Sequence, residues 1–525
     1  MSSAATTQDR PAFFDISARV AEHGRLRPSG EALVFEGRRI DWRTLNTRVN
    51  RLANLLLSQG IEPNKDKVAI LASPSAAYVE TFLGVLRAGC CLVPLSPMAS
   101  TDQLINMIRD AGVKALFISN DLRDLAGVFP SDLAPMALGK AVAIDFAAAG
   151  WASYEELLNK ASDKAVDVPI TPEMDFNIIY SSGTTSEPKG IVHDHAARTA
   201  NLDLMTSLGY GPGCRTLLAT PLYSNLTIAA FLPTMGLGGT IVLMRKFDAA
   251  AYLDLAESEH ITHTMLVPVQ YERLLADTSF SGRDLSSFQL KSCTSAPLRT
   301  TIKREIVERW PGKLLEIYGM TEGGGLCMLD ATANRDKLDT VGKPAFGAEY
   351  RIIDDDGNEL PQGQIGEIAC RGRVMMKGYH NRPAATAAII WRDATGKEFF
   401  KTGDMGYFDS DGFLHLSDRK KDMIISGGFN IYAADLEEVL LSHPGVIDAA
   451  VVAVPSAEWG ETPFGFVVLR AGAIPSRDEL KDWANSRLGK AQRIFGIDII
   501  ESLPRSAIGK VLKRELRDNY RRVPT

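Results

Sequence analysis

Residues 180–190, YSSGTTSEPKG, have the composition of a phosphate-binding loop. Gly183 has no Cβ to hinder a close approach, so the loop can offer backbone N–H groups and hydroxyls to an anion. Lys189 adds the positive charge of a phosphate contact. The segment lacks the Gly-Lys-Ser/Thr ending of a Walker A motif, which disfavours a P-loop nucleotidase. A polar surface turn is the alternative, and composition alone does not separate the two.

Three later segments resemble motifs of one enzyme family. Residues 316–322 read EIYGMTE, residues 401–404 read KTGD and continue through SDRKKD to GGFN at 427–430, and Gly509-Lys510 lies near the C-terminus. Together with the first loop, and in this order, they resemble the AMP-forming acyl-CoA synthetases, which belong with firefly luciferase and peptide-synthetase adenylation domains. The resemblance runs from about residue 29 to residue 516. One such motif is weak evidence, whereas several in family order are specific.

The resemblance implies an acid–CoA ligase with two half-reactions. A carboxylate attacks the α-phosphate of ATP to give acyl-AMP and diphosphate, and the CoA thiol then attacks the acyl carbonyl and releases AMP. A site that gathers these anions depends on positioning and electrostatic stabilisation, so no protein nucleophile is expected. The implied cofactors and cosubstrates are ATP, Mg²⁺ and CoA. A nucleotide-binding protein without catalysis is disfavoured by the intact set of motif residues.

The resemblance also implies roles for individual residues. Lys510, Thr321 and Glu322 are expected to be catalytic: Lys510 would bridge the carboxylate and the α-phosphate, and Glu322 would bind Mg²⁺, which takes one or two carboxylates plus phosphates. Lys421 falls at the family's hinge position. The expected ATP- or AMP-binding residues are Ser181, Ser182, Gly183, Thr184, Thr185, Lys189, Ala296, Glu316, Tyr318, Gly319, Asp404 and Arg419, and the expected CoA-binding residues are Gly427 and Gly428.

By the same analogy the acid pocket contains mostly small or apolar residues. Asn225 and Gln270 are polar exceptions that could bind a ring hydroxyl, and no arginine stands in the pocket segments, which disfavours a dicarboxylate. We therefore expect an aromatic or hydroxycinnamic acid. The alternatives are a medium- or long-chain fatty acid, or an adenylating enzyme that loads a separate carrier protein. The expected pocket residues are Tyr223, Ser224, Asn225, Val269, Gln270 and Gly324.

Ser224 and two histidines near these motifs need separate consideration. Ser224 stands where the family usually has a histidine that is associated with the carboxylate pocket, so that role cannot be transferred to this chain. Serine leaves more room beside Tyr223, although drift to a small polar residue explains it equally. His193 and His195 could suggest a metal site, but they have no third ligand in the local sequence, and we expect a structural role for them.

Alternating patterns predict the architecture. Strand, helix and strand with apolar strands, as at residues 68–95, argue for parallel sheets covered by helices. The region after Asp330 is rich in predicted antiparallel strands, and a small α+β unit follows. The five charges of residues 418–422 are typical of an exposed hinge. We predict an α/β and β-rich N-terminal adenylation domain over 1–418, a hinge at 419–422 and a mobile α+β lid over 423–525.

Composition excludes several classes of protein. The 525 residues are 45% apolar and 23% charged with a net charge of −6, which fits a globular enzyme and gives no electrostatic case for nucleic acid or an anionic membrane. The six cysteines form no metal-ligand spacing and indicate buried thiols in a reducing cytoplasm. No signal peptide or membrane-spanning segment is expected. Either a monomer or a homodimer is compatible with the sequence.

Overall fold

The computed structural model describes residues 13–124, 141–148, 150–181, 189–426, 429–456, 459–489, 492–506 and 509–520. The chain divides into two compact units. The N-terminal unit comprises Met1–Leu338, Pro344–Glu349 and Arg371–Ile390, and the C-terminal unit comprises Asp339–Lys343, Tyr350–Cys370 and Trp391–Thr525. The second unit thus begins well before the predicted hinge, and the functional boundary at 419–422 stays a prediction.

The helices form where apolar residues recur at helical spacing. In α2, the Asp41 side chain accepts a hydrogen bond from the backbone N–H of Thr44, and Leu45, Val49 and Leu52 face the core, as predicted. The helices are α1 (Ile16–Leu26), α2 (Trp42–Ser58), α3 (Ala76–Arg87), α4 (Thr101–Ala111), α5 (Tyr154–Lys160), α6 (His195–Thr199), α7 (Asn225–Leu237), α8 (Ala249–Ser258), α9 (Pro268–Ala276), α10 (Thr300–Arg309), α11 (Pro383–Ile389), α12 (Ala433–Leu441), α13 (Arg477–Asn485) and α14 (Lys513–Tyr520).

The strands alternate with these helices through the first half of the chain and then follow one another closely. They are β1 (Glu31–Phe35), β2 (Arg38–Asp41), β3 (Lys67–Leu71), β4 (Cys91–Pro94), β5 (Val113–Ile118), β6 (Val142–Ala143), β7 (Ala152–Ser153), β8 (Asp175–Ser181), β9 (Lys189–Asp194), β10 (Arg215–Leu218), β11 (Thr240–Leu243), β12 (His263–Leu266), β13 (Leu290–Cys293), β14 (Lys313–Met320), β15 (Gly323–Asp330), β16 (Lys343–Ala345), β17 (Glu349–Ile353), β18 (Gly366–Arg371), β19 (Gly378–Tyr379), β20 (Ile390–Arg392), β21 (Glu398–Phe408), β22 (Leu414–Arg419), β23 (Ile424–Ser426), β24 (Phe429–Ile431), β25 (Val446–Ser456), β26 (Gly460–Leu469) and β27 (Gly496–Ile499).

Two large sheets organise the N-terminal unit. One has the order β19-β9-β8-β4-β3-β5-β6-β7, and the other has the order β16-β15-β14-β13-β12-β10-β11-β1-β2. The central strands pair in parallel, for example β3 with β4 and β5, and β13 with β12 and β14. Fully buried strands such as Val68 to Leu71 are apolar on both faces because helices cover both sides of the sheet. This arrangement confirms the predicted α/β fold class.

The C-terminal unit contains two smaller sheets. The first has the order β17-β18-β21-β20, with β22 beside β21, and its strands include the β-rich region predicted after Asp330. The second has the order β24-β23-β26-β25, with β27 beside β26. Its apolar residues, among them Leu436 on α12 and Leu480 on α13, pack into a separate core. The predicted capping box of Ser476 and Glu479 starts α13.

Two predictions from composition can be checked directly. All six cysteines are buried and free of disulfides, as expected. In the part of the chain that the structure describes, no helix combines the length and apolarity needed to cross a bilayer.

Candidate active site

The predicted phosphate loop joins two neighbouring antiparallel strands. Strand β8 ends at Ser181 and β9 begins at Lys189, and these two residues are paired across the ladder. Ser182, Gly183, Thr184 and Thr185 lie outside the described residues, as does the side chain of Ser181. Lys189 is the predicted phosphate ligand whose position can be described.

Lys189 and Glu322 meet at one tyrosine. Lys189 Nζ lies 5.1 Å from the ring centroid of Tyr379, and the hydroxyl of that tyrosine donates a 2.8 Å hydrogen bond to Glu322 Oε1. Burial, and then the charge of Glu322, raise the pKa of Tyr379, so its hydroxyl keeps its proton. The structure therefore brings together a phosphate-type lysine and the predicted magnesium ligand.

The role of Tyr379 was not predicted from the sequence. It belongs to the two-residue strand β19, which pairs with β9 through Gly378 and Tyr379. A two-residue strand has no periodicity to read, and its partner lies almost 190 residues earlier in the chain, as the pairing of Tyr379 with Ile191 shows. Nothing in the local sequence signals this contact.

The donor set at Glu322 fits a magnesium ion only in part. Among the described residues, no group of three or more His, Cys, Asp and Glu side chains could hold a metal. Mg²⁺ commonly takes one or two carboxylates and completes its octahedron with phosphate oxygens and water. A single carboxylate beside a lysine is compatible with that mode, in which the nucleotide supplies other ligands.

His193 and Arg198 connect two predicted parts of the site. His193 Nε2 donates to the carbonyl of Thr321 at 2.8 Å, and its Nδ1 accepts from Arg198 Nη2 at 3.1 Å. Burial and the nearby guanidinium hold the pKa of His193 well below its usual range, so the imidazole is neutral. Arg198 Nη1 also donates to Asn225 Oδ1 at 2.6 Å. These contacts give His193 the structural role that we expected.

Arg198 removes one argument against a dicarboxylate. The expected pocket segments contain no arginine, but Arg198, which lies outside them, contacts Asn225, one of the expected pocket residues. Arg198 lies in α6, outside the pocket segments that family analogy supplies, so the sequence did not indicate this contact. The hydrogen bond depends on the packing of α6 against the start of α7.

Gln270 is less available than its sequence position suggested. Its Nε2 donates to the carbonyl of Ala219 at 3.0 Å, and its Oε1 accepts from the backbone N–H of Val267 at 3.2 Å. The buried amide therefore holds the start of α9 against the end of β10. Tyr223, Ser224 and Asn225 keep partial exposure just before and at the start of α7, and Val269 and Gly324 stay predicted pocket residues.

The predicted adenine-side residues occupy the carboxyl ends of two parallel strands. Cys293 in β13 pairs with Glu316 in β14, and the hydroxyl of Thr294 donates to the carbonyl of Ile317 at 2.8 Å. Ala296, Tyr318 and Gly319 therefore belong to one edge of the sheet, where parallel sheets bind ligands. Their contact with a nucleotide stays a prediction.

The carboxylate of Glu316 has a structural partner. It forms an ion pair with Lys303 and accepts a 2.9 Å hydrogen bond from the backbone N–H of Leu298. Both members of the pair are almost completely buried. Losing either partner would leave a buried charge, so the pair fixes the loop after β13.

A second cluster lies within the C-terminal unit. Arg419 Nε is 3.2 Å from Asp404 Oδ1, and the two residues are paired across β21 and β22. Lys510 follows a turn in which its backbone N–H donates to Ser506 Oγ at 3.2 Å. Burial, then the charges of Arg419 and Lys421, lower the pKa of Lys510 to about 8, while Asp404 and Asp422 oppose that shift.

An open cavity of about 350 Å³ lies beside this cluster, lined by Thr402, Gly403, Arg419, Lys420 and Lys421. Three of these residues are cations, so an anionic ligand is favoured there. The structure thus brings Lys510 into one charged neighbourhood with Asp404, Arg419 and Lys421, which lie much earlier in the sequence.

The charge run at 418–422 is not the exposed segment that we expected. Arg419 belongs to β22, Lys420 pairs with Asp355 and Glu367, and Asp422 pairs with Arg517. Lys421 is the exposed member of the run. Gly427 and Gly428, the predicted CoA contacts, lie outside the described residues.

Comparisons with known proteins agree with these motifs. The sequence pattern of the AMP-binding enzymes matches residues 20–380, and that of the AMP-binding enzyme C-terminal domain matches residues 435–510. A feruloyl-CoA synthase of Amycolatopsis sp is 33% identical over 499 residues, which are 94% of this chain and 97% of the relative. A fatty acid–[acyl-carrier-protein] ligase, ScoC, of Streptomyces coeruleorubidus is 30% identical over 508 residues and 95% of each chain.

A solved structure of similar fold agrees with these sequence matches. The ATP-bound MatB from Rhodopseudomonas palustris has a TM-score of 0.87 and 28% sequence identity, covering 97% of this chain and 99% of that one. The family and its relatives confirm the prediction of an AMP-forming acid–CoA ligase and leave the acid open. Because the patterns of both the main domain and the C-terminal domain match, this chain belongs to the AMP-binding enzyme family.

Proposed function

We propose that this enzyme activates an aromatic acid as its acyl-adenylate and transfers the acyl group to CoA. The observation that carries the proposal is the contact of Lys189 and Glu322 through Tyr379, because it joins an anion-binding cation to a magnesium-type ligand. In the first half-reaction, a carboxylate oxygen forms a bond to the α-phosphorus, and the bond to the bridging oxygen of diphosphate breaks. In the second, the CoA thiol loses its proton, its sulfur bonds the acyl carbon, and AMP leaves.

Lys189 is proposed to bind the β- and γ-phosphates together with the loop that precedes it. Thr321 is proposed to contact the α-phosphate, and its backbone is held by His193. Glu322 would hold Mg²⁺, which when bound supplies charge neutralisation at the triphosphate. Because Tyr379 donates to one oxygen of Glu322, the carboxylate keeps a fixed orientation.

Asp404 is proposed to accept hydrogen bonds from the ribose hydroxyls, as carboxylates do at other nucleotide sites. Arg419 orients that carboxylate through their ion pair. Lys510 is proposed as the cation of adenylation, since its Nζ forms no hydrogen bond or ion pair with a residue that the structure describes and its pKa of about 8 leaves it mostly charged at neutral pH. Gly427 and Gly428 stay proposed CoA contacts.

The proposed acid is aromatic or hydroxycinnamic, with a fatty acid as the alternative. Support for the first comes from the similarity to a feruloyl-CoA synthase and from the partly exposed Tyr223, Ser224 and Asn225. Support for the second, and for a separate carrier protein as acceptor, comes from the similarity to ScoC. We also propose a cytoplasmic location, because six free buried thiols suit a reducing compartment.

The test is a panel of acids with ATP and Mg²⁺, with and without CoA. Release of diphosphate and AMP that depends on the acid, together with a CoA thioester of an aryl acid, is the expected result. Thioester formation with dodecanoate but not with cinnamates would favour the fatty-acid alternative. Diphosphate release without any CoA thioester would favour the carrier protein.

A further inference from the structure

Arg198 is a half-buried cation held by neutral groups. Its Nε donates to Asn177 Oδ1 at 2.7 Å, its Nη1 to Asn225 Oδ1 at 2.6 Å, and its Nη2 to His193 Nδ1 at 3.1 Å. None of the carboxylates in the described ranges forms an ion pair with it. Burial lowers the pKa of Arg198 to about 9, so it stays charged at neutral pH although its surroundings compensate that charge poorly.

The guanidinium has hydrogen-bonding capacity left over. It carries five N–H groups, and three of them are used in these contacts. The remaining two, one on Nη1 and one on Nη2, can donate to a carboxylate or another oxygen acceptor. An unsatisfied N–H of a desolvated cation is unfavourable, so an acceptor brought by a ligand is favoured at this point.

The position of Arg198 indicates which ligand supplies that acceptor. One of its partners, Asn225, is an expected pocket residue, and another, His193, separates Arg198 from the backbone of Thr321 by the full width of an imidazole ring. The reacting carboxylate must reach the α-phosphate near Thr321, and hydrogen bonds from Arg198 to that carboxylate would make it a weaker nucleophile. A second polar group of the acid can bind Arg198 without having to reach the α-phosphate and without weakening the nucleophile.

Arg87 shows what a purely structural arginine looks like in the same chain. It is buried and donates to Asn46 Oδ1 at 2.6 Å, to Asn50 Oδ1 at 2.8 Å and to the carbonyl of Ser17 at 2.6 Å, which ties α1, α2 and α3 together. None of these partners is an expected site residue. Arg198 differs in that it is less buried and contacts Asn225.

We propose that Arg198 is a specificity-determining residue that binds a hydrogen-bond acceptor of the acid other than the reacting carboxylate. This inference rests on the proposed function, because it requires an acid that becomes adenylated. It narrows the acid to one with a hydroxyl, carbonyl or second carboxylate on its ring or chain. An unbranched fatty acid would leave both N–H groups unpaired, and a site with buried polar groups rejects an analogue that lacks their partner.

The experiment compares matched acids in wild type and Arg198→Met. Cinnamic acids that carry a hydroxyl or a carboxyl at ring positions 2, 3 or 4 are paired with the methyl analogue at the same position, and kcat/KM for acid-dependent diphosphate release is measured. We expect the wild type to prefer the polar member of at least one pair by about tenfold or more. Arg198→Met should remove that preference, so that kcat/KM falls by about tenfold more for the polar member of the pair than for its methyl analogue.

Further variants separate recognition from a loss of folding. Arg198→Lys keeps the charge without the guanidinium, and we expect it to restore part of the preference; Arg87→Lys, the matched control, should leave the preference unchanged. Thermal unfolding of each variant shows whether it is folded. The inference is wrong if the wild type does not distinguish the pairs, or if folded Arg198→Met loses activity equally for both members. If no acid supports diphosphate release in the wild type, the proposed function fails instead.

Discussion

The two compact units each hold a cation with a lowered pKa, and they hold it in opposite ways. Arg198 in the N-terminal unit is fixed by three side-chain hydrogen bonds to neutral partners. Lys510 in the C-terminal unit is fixed through its backbone at Ser506, and its Nζ forms no hydrogen bond or ion pair with the residues described. Its neighbours are charges of both signs.

This difference suggests different tasks. A cation with a fixed guanidinium plane can recognise one geometry of an acceptor, which suits selection of a substrate. A lysine on a flexible stem is a point charge that can follow negative charge as it develops in a reaction. We therefore propose that Arg198 recognises the acid and that Lys510 stabilises adenylation.

The largest effect is expected for Lys510→Ala. Removing a cation that acts in the transition state costs on the order of 3 kcal/mol, so adenylation should slow by about a hundredfold or more. Thioester formation from chemically prepared acyl-AMP should change little. Single-turnover measurements of both half-reactions check this, and an equal loss in both would contradict a role specific to adenylation.

A smaller effect is expected for the backbone at Lys421. Lys421→Pro fixes φ at the exposed position of the charge run and should slow the second half-reaction by about tenfold, if a rearrangement there precedes thioester formation. Lys421→Ala is the control, because it removes the charge and keeps the backbone free. An unchanged rate of thioester formation in Lys421→Pro would contradict a hinge at this position.

The pH dependence tests the charge of Lys510 itself. In the role proposed for Lys510 the protonated amine is the active form, so adenylation should fall as pH rises through the pKa of about 8. Lys421→Gln removes a neighbouring positive charge that lowers this pKa, and the alkaline limb should move to higher pH. Lys481→Gln, which affects a lysine paired with Asp478, should leave the limb in place. A limb that Lys421→Gln does not move would assign the titration to another group.

The smallest effect is expected at Ser224. Serine precedes α7 with partial exposure beside Tyr223, and a histidine there would fill space in the expected pocket. Ser224→His should reduce kcat/KM for an aryl acid relative to butyrate by several-fold, since each lost methylene-sized contact costs roughly 1 kcal/mol. The ratio of the two kcat/KM values is the measurement. An unchanged ratio would show that the acid does not bind beside Ser224.

Sequence patterns predicted the frame of this enzyme better than its contacts. The periodicity of α2, the buried strand β3 and the capping box at Ser476 are local properties, and each was read correctly. Tyr379 and Arg198 were missed because their partners come from distant segments. The hydrogen bond of Gln270 to the carbonyl of Ala219 could not be predicted, because it exists only once β10 and α9 are packed.

Acid-dependent exchange of labelled diphosphate into ATP tests the central claim most directly, because it reports adenylation alone. The measurement compares wild type, Lys510→Ala and Arg198→Met with one polar acid and its methyl analogue. We predict that Lys510→Ala slows exchange with both acids by about a hundredfold or more, whereas Arg198→Met retains exchange and loses the difference between them. A rate of exchange that Lys510→Ala leaves unchanged, or an acid preference that survives Arg198→Met, would contradict the division of tasks between the two cations.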